Sequence, residues 1–219
     1  MQTLGDQVTA VTIPAGHISL EGHLHVPALA HGLVLFAHGS GSSRNSARNQ
    51  RVAECLHAVG LATLLFDLLS PAEEPEAGYN ARLRFDIALL AQRLRHAMHW
   101  ARRQAETAGL PVGLFGASTG AAAALVAAAS ENNGVGAVVA RGGRVDLASD
   151  AIPRLRAPTM LIVGGNDETT AVANLEAWAR LRCEKSIEII PGAGHLFEEP
   201  GALDNVAALA ARWFSEHLR

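Results

Sequence analysis

At 219 residues, with 49% hydrophobic and 18% charged side chains and a formal net charge of −3, the chain is sized for one domain over 1–219 with a large core. Such a composition excludes a disordered chain, and the slight acidity excludes the basic surface that nucleic acid requires. Residues Met1 to Asp6 lack the charged start and apolar core of a signal peptide, and no window stays apolar for roughly 18 residues, so a cytoplasmic protein without membrane contact is expected.

Val8 to Pro14 and Ile18 to Val26 alternate apolar and polar residues about Gly16, as in an antiparallel hairpin with one wet face at a sheet edge. His23 and His25 share a face of it and are expected to be solvated. With no carboxylate or third histidine at ligand spacing, no metal site is expected there. Leu33 to Ala37 is continuously apolar, the pattern of a strand buried on both faces, and runs into His38-Gly39-Ser40-Gly41-Ser42-Ser43. An amphipathic helix from Asn45 to Val59 is stopped by Gly60, and a buried strand from Leu61 to Phe66 ends at Asp67, expected to anchor its loop. Ser70 to Tyr79 has Glu73, Glu74, Pro75 and Glu76 and no periodicity, which predicts a mobile acidic rim.

Arg82 to Ala108 carries the longest helical periodicity, closed by Gly109 and Pro111. The strand Val112 to Phe115 then stops at Gly116-Ala117-Ser118-Thr119-Gly120, and an alanine-rich helix follows from Ala121 to Ser130. Ala137 to Ala140 and Thr159 to Val163 are buried strands joined by only a short segment, Val145 to Pro158. Ala171 to Leu181 reads as a helix, Ile187 to Ile190 as the last strand, and Gly201 to His217 as a closing helix. Strands alternating with helices predict right-handed crossovers and an α/β architecture, a mostly parallel eight-stranded sheet with helices on both faces. Cys55 and Cys183, both in helix-like stretches, read as free thiols. Trp100, Trp178 and Trp213 read as packing residues.

In an open parallel sheet, ligands collect outside the carboxyl ends of the strands. Ser118, Asp167, His195 and the His38 loop each follow such an end. A serine hydroxyl needs a base, and histidine has a suited pKa. The imidazole in turn needs a carboxylate to hold its tautomer, and the chain order serine, acid, histidine supplies Asp167. Glu168 is the near competitor, but it more naturally opens the next helix, where a carboxylate meets the N-terminal dipole. Ser118 is thus the expected nucleophile, His195 the base and Asp167 its orienting acid. Arg141, beside Arg144 after a strand next to the elbow strand, is a candidate for holding a substrate carboxylate or phosphate, and so is Gly41 for contacting substrate; pairing of the arginines with Asp146, Asp150 or the acidic rim is the competing reading.

These motifs resemble the α/β-hydrolase superfamily, close to its small lidless dienelactone-hydrolase-like branch, and are similar to hydrolase domains fused to phosphoribosyltransferases. The resemblance implies an α/β-hydrolase fold without a cap domain. It implies an oxyanion hole from the backbone N–H of Thr119 and of Ser40, with Gly41 the alternative, and a bracing role for His38. Dienelactone hydrolases proper carry a cysteine where this chain has Ser118, which weakens dienelactone itself as substrate. The expected activity is a serine hydrolase cleaving carboxylic esters of small or accessible substrates, with lactone and thioester cleavage sharing the same route and a non-catalytic ligand- or partner-binding fold as the competing class. No cofactor and no metal is expected; a small-molecule ester is the expected partner, and self-association into a homo-oligomer stays open.

Overall fold

The computed structural model describes residues 8–73, 79–130 and 134–219. Strands β1 (Val8–Ala15) and β2 (Ile18–His25) form the antiparallel hairpin, and β2 pairs antiparallel with β4 (Leu61–Phe66). β3 (Gly32–Ala37), β5 (Val112–Ala117), β6 (Ala137–Arg141), β7 (Thr159–Gly164) and β8 (Lys185–Ile190) complete a sheet of order β1-β2-β4-β3-β5-β6-β7-β8, parallel from β4 onward. Among the described residues five α-helices cover it: α1 (Ala47–Ala58), α2 (Ile87–Ala101), α3 (Thr119–Ser130), α4 (Glu168–Arg180) and α5 (Ala202–His217).

The unbroken apolar strands are explained by the two cores they separate. Leu33, Leu35 and Ala37 of β3 point into a core shared with α2 and α3, while Val34 and Phe36 point into one shared with α1 and α5. Because successive side chains of a strand alternate faces, both parities must be apolar when both faces are covered. α3 is buried nearly all round, and its run of alanines lets it lie close to the sheet.

Several boundaries differ from the sequence reading. The long pattern from Arg82 is two elements: a 3-10 segment over Tyr79–Phe85, then α2, with the Asp86 side chain capping the Leu89 N–H at 3.0 Å. Beyond Ala101 the chain tightens into turns in which Gln104 N–H bonds the Ala101 carbonyl and the Thr107 hydroxyl donates to the same oxygen at 2.6 Å. A side-chain cap at one end and i to i+3 bonds at the other stop a helix that periodicity alone would continue. Cys183 lies not in a helix but in the turn after α4, its thiol 3.8 Å from the Thr159 hydroxyl. His25 is buried and stacks on His57 with ring centroids 3.7 Å apart, so that part of the hairpin is not a solvated edge. Trp178 is 36% exposed, with the Lys185 ammonium over its ring.

The acidic rim is anchored at its start: the Glu73 carboxylate accepts from the Ser70 N–H and pairs with buried Arg93 at 2.8 Å. Residues 74–78 of that stretch lie outside the described residues. Between β6 and β7 the chain makes only two short 3-10 turns, Val145–Ala148 and Ile152–Arg154, so nothing there roofs the carboxyl edge of the sheet. No described helix is long and apolar enough to cross a membrane.

Candidate active site

Where β5 turns into α3, Ser118 adopts a left-handed backbone, φ 51°. This costs energy for a residue with a Cβ and persists only where the surroundings impose it. Here the Ser118 N–H donates to the Arg141 carbonyl at 3.1 Å, while its own carbonyl accepts the Ala121 and Arg144 N–H groups at 3.1 Å each. The flanking glycines make the turn possible by close approach. A Cβ on Gly116 would lie 2.6 Å from the Gly120 oxygen, and one on Gly120 would collide with the Ala37 and His38 carbonyls.

β7 ends in Gly164, and the Asp167 N–H closes a turn onto the Gly164 carbonyl. Asp167 is the N-cap of α4, its Oδ1 accepting from the Thr170 N–H at 3.4 Å. Its other oxygen, Oδ2, sits 2.6 Å from His195 Nδ1. Burial pushes this carboxyl up, but the bonds from His195 and Thr170 outweigh it and hold the group below its ordinary value, hence ionised at neutral pH. The His195 loop is fastened by its own backbone: the Gly194 N–H donates to Glu199 at 2.9 Å, and a Cβ on Gly164 would lie 2.6 Å from the Gly194 oxygen. His195 Nε2 then reaches Ser118 Oγ at 3.2 Å. Ser118, His195 and Asp167, separated by up to 77 positions in sequence, therefore form one hydrogen-bonded line, and Glu168 is exposed in the first turn of α4 instead.

The His38 loop faces the elbow. His38 is buried, its Nδ1–H donating to the Gly39 carbonyl at 2.9 Å and its Nε2 accepting the Leu68 N–H at 3.0 Å, so it ties the end of β3 to the segment after β4. The Ser42 N–H closes a four-residue turn onto Gly39, with Gly41 at φ 72° in the position that favours glycine. The Ser40 N–H donates to Thr119 Oγ1 at 2.9 Å. Asp67 holds the far side of this loop, accepting from the Arg44 N–H at 2.7 Å and pairing with the Arg44 guanidinium, which also contacts Glu21.

The family model of the alpha/beta hydrolase domain matches residues 30–207, which contain Ser118, Asp167, His195 and the His38 loop. The chain belongs to the α/β-hydrolase family. A dienelactone hydrolase from Anabaena variabilis is 53% identical, with a TM-score of 0.95 over 98% of this chain and 100% of its own. A cold-adapted esterase from an Arctic intertidal metagenomic library shares the fold, with a TM-score of 0.80 at 18% identity over 100% of this chain and 97% of its own. Two Mycobacterium tuberculosis proteins with a provisional phosphoribosyl transferase name are 54% identical over 95% of this chain, which spans 46% of their length.

Two hollows flank the His38 loop. A polar one of about 500 Å³ is walled by His38, Gly41, Ser42, Ser43, Asn45 and Arg84. A much smaller one of about 10 Å³ lies against Thr119 and is walled by Leu68, Leu69 and Leu90. Of the two arginines after β6, Arg144 forks onto Asp146, with Nη2 2.7 Å and Nε 2.9 Å from its two oxygens, and lowers the Asp146 pKa. Arg141 turns the other way and is buried. Among the described residues no group of three or more histidine, cysteine or acidic side chains is disposed to hold a metal ion. Sequence reasoning missed Arg44 and the side chain of Thr119 as parts of this region. Neither has a local signal, since their partners Asp67 and Ser40 are 23 and 79 positions away.

Proposed function

We propose that this α/β hydrolase cleaves carboxylic esters through an acyl-enzyme on Ser118. The observation that carries the reading is the unbroken line from Asp167 through His195 to Ser118, with spacings of 2.6 and 3.2 Å. An ionised Asp167 accepts the Nδ1 proton, leaving Nε2 as the acceptor that faces the serine, the tautomer a general base requires. The 3.2 Å gap is within the range found before substrate tightens the site. Ser118 Oγ attacks the carbonyl as its proton passes to Nε2. His195 returns the proton to the leaving alcohol oxygen, and water repeats the sequence on the acyl-enzyme.

Negative charge on the tetrahedral oxygen is met by the Thr119 N–H, which as the first amide of α3 has no intrahelical acceptor. Its partner is the Ser40 N–H once the Thr119 hydroxyl rotates off it, with the Gly41 N–H as the alternative. The niche of about 10 Å³ beside Thr119, lined by Leu68, Leu69 and Leu90 together with His38 and Ser40, takes about one water-sized group, which favours small acyl groups. The larger polar hollow then faces the remainder of the substrate. The 53% identity to a protein named as a dienelactone hydrolase favours a second reading within the same chemistry, a cyclic ester opened by the same serine.

Hydrolysis of p-nitrophenyl acetate by the wild type and by Ser118→Ala tests the proposal. A loss of at least a thousandfold in kcat is expected; equal rates would end it. Failure of the wild type to label with a fluorophosphonate probe would favour the binding-only class.

A further inference from the structure

β8 ends the sheet, with β7 on one side and no described strand on the other. Glu184 and Ile190 turn their carbonyls to β7, accepting the Thr159 and Gly165 N–H groups at 2.9 and 2.8 Å. Backbone groups of successive strand residues alternate sides, so Lys185, Ile187 and Ile189 present their N–H and C=O outward. Such an edge is a template for another chain, and proteins commonly guard it with lysine, proline or a bulge. β8 contains no proline, and its pairing with β7 runs without a bulge. Its one lysine is turned away from the edge: Lys185 Nζ donates to the Trp178 and Leu181 carbonyls at 2.8 and 2.9 Å and lies 4.5 Å from the Trp178 ring centroid.

Apolar side chains border this edge. Ile187 packs against the core that α4 helps to cover, and Ile189, of the same strand parity, is 48% exposed. α4 buries Thr170, Asn174 and Ala177 and leaves Val172, Leu175 and Trp178 exposed. At 3.6 residues per turn these last three share one side of the helix, and the Lys185 contact fixes Trp178 on its β8 flank. The edge sequence is also self-complementary. In a symmetric antiparallel pair the two-fold axis passes through one residue of each strand. An axis at Lys185 sets two lysines face to face, one at Ser186 sets Glu184 against Glu188, and one at Glu188 sets two glutamates together. An axis at Ile189 puts Ile187 opposite Pro191, which has no N–H to give. Centred on Ile187, the pairing stacks Ile187 on its copy and sets Lys185 opposite Ile189 and Ser186 opposite Glu188. The Ser186 hydroxyl already donates to Glu188 within the chain at 3.2 Å, and this register offers it the same carboxylate across the pair. No like charges are then directly opposed, and the outward amides and carbonyls of Lys185, Ile187 and Ile189 all find partners.

We propose that a second copy of this chain docks on the β8 edge, antiparallel and centred on Ile187, with the exposed stripes of the two α4 helices on one face of the joined sheet. A two-fold contact of this kind closes on itself, so the product is a dimer and not a filament. Because the paired strands run in opposite directions, their carboxyl ends, and with them the two Ser118 sites, lie at opposite edges of the joined sheet. Neither site covers the other, and the proposal holds whatever reaction Ser118 performs.

Sedimentation equilibrium of the full chain over about 1 to 100 µM tests it. With rising concentration the wild type should approach about 46 kDa, twice the 23.0 kDa chain. Ile189→Lys would oppose Lys185 of the other copy at both ends of the ladder and should weaken association roughly tenfold or more. Leu175→Glu, on the α4 stripe, should weaken it as well. Both positions are exposed, so these variants should fold, and circular dichroism checks that they do. Adding Lys185→Glu to Ile189→Lys should restore the dimer in folded protein, because residues 185 and 189 stand opposite each other only in the register centred on Ile187. A wild type that stays monomeric throughout overturns the proposal and leaves the edge to an extended segment of another protein. A dimer indifferent to Ile189→Lys and Leu175→Glu overturns it too, as does a folded charge-swapped variant that remains monomeric.

Discussion

Asp167→Asn separates the chemical from the structural work of one side chain. Asp167 caps α4 through Oδ1 and orients His195 through Oδ2. Asparagine is as good an N-cap as aspartate and nearly the same size, so α4 should form and the melting temperature should move by only a few degrees. At the other end, the amide would present either its oxygen, without a full charge to stabilise an imidazolium, or its NH₂. The NH₂ would drive the imidazole proton from Nδ1 to Nε2, where it faces Ser118 and cannot accept a proton. A loss of about ten-thousandfold in kcat is expected, equivalent to about 5 kcal/mol of barrier. The assay is steady-state hydrolysis of p-nitrophenyl acetate, with circular dichroism confirming the fold. Retention of more than a tenth of the wild-type rate would refute the role given to the 2.6 Å contact.

The same group has a pH signature. Its folded pKa lies below the reference 3.8, so its contacts stabilise the native state above that value and the contribution disappears as pH falls through the lower folded value. Urea denaturation should show a stability gap between wild type and Asp167→Asn at neutral pH that closes in acid; a gap that widens there would contradict the sign.

Three further outcomes follow from the packing. Gly120→Ala should destabilise by about 3 kcal/mol or more in urea, because its Cβ would meet the Ala37 and His38 carbonyls, which cannot move without disturbing the end of β3 and the His38 loop; wild-type stability would show that the elbow has slack. Glu73→Gln should cost about 3 kcal/mol by leaving the buried Arg93 guanidinium without its anionic partner, and a change under about 1 kcal/mol would place that pair in solvent. Thr119→Val should cost about 0.5–1.5 kcal/mol by removing the bond to the Ser40 N–H, with Thr119→Ser recovering most of it; equal stability of the two variants would count against that bond.

Strand cores and turn chemistry were legible because both faces of the sheet are covered and each β-to-α turn carries its own glycine signature. Gly116, Gly120 and Gly164 all mark places where another backbone comes close enough to exclude a Cβ. Helix ends were less legible. α2 stops at Ala101 through Thr107 and begins after Asp86, and the apolar spacing continues through both neighbours because 3-10 turns also keep residues on one side. His25 looked like an edge residue since its strand alternates, but α1 brings His57 against it.

From its residues alone, the chain determined an α/β architecture whose serine, acid and histidine follow strand ends in that order, since strand burial, glycine turns and chain order are local or sequential properties; the hydrolase reading came with the family resemblance. That Asp167 reaches His195, which N–H in the loop after β3 is already occupied, and which of two neighbouring arginines lacks a counter-ion were decided only by tertiary structure. Asp167 and Glu168 are adjacent and chemically alike, yet one caps α4 toward the histidine loop and the other opens into solvent. Arg141 and Arg144 differ because the last strand position aims one into the core and the turn after it aims the other at Asp146. Such choices depend on directions in space set by elements 20 to 80 positions away, and composition and spacing do not carry them.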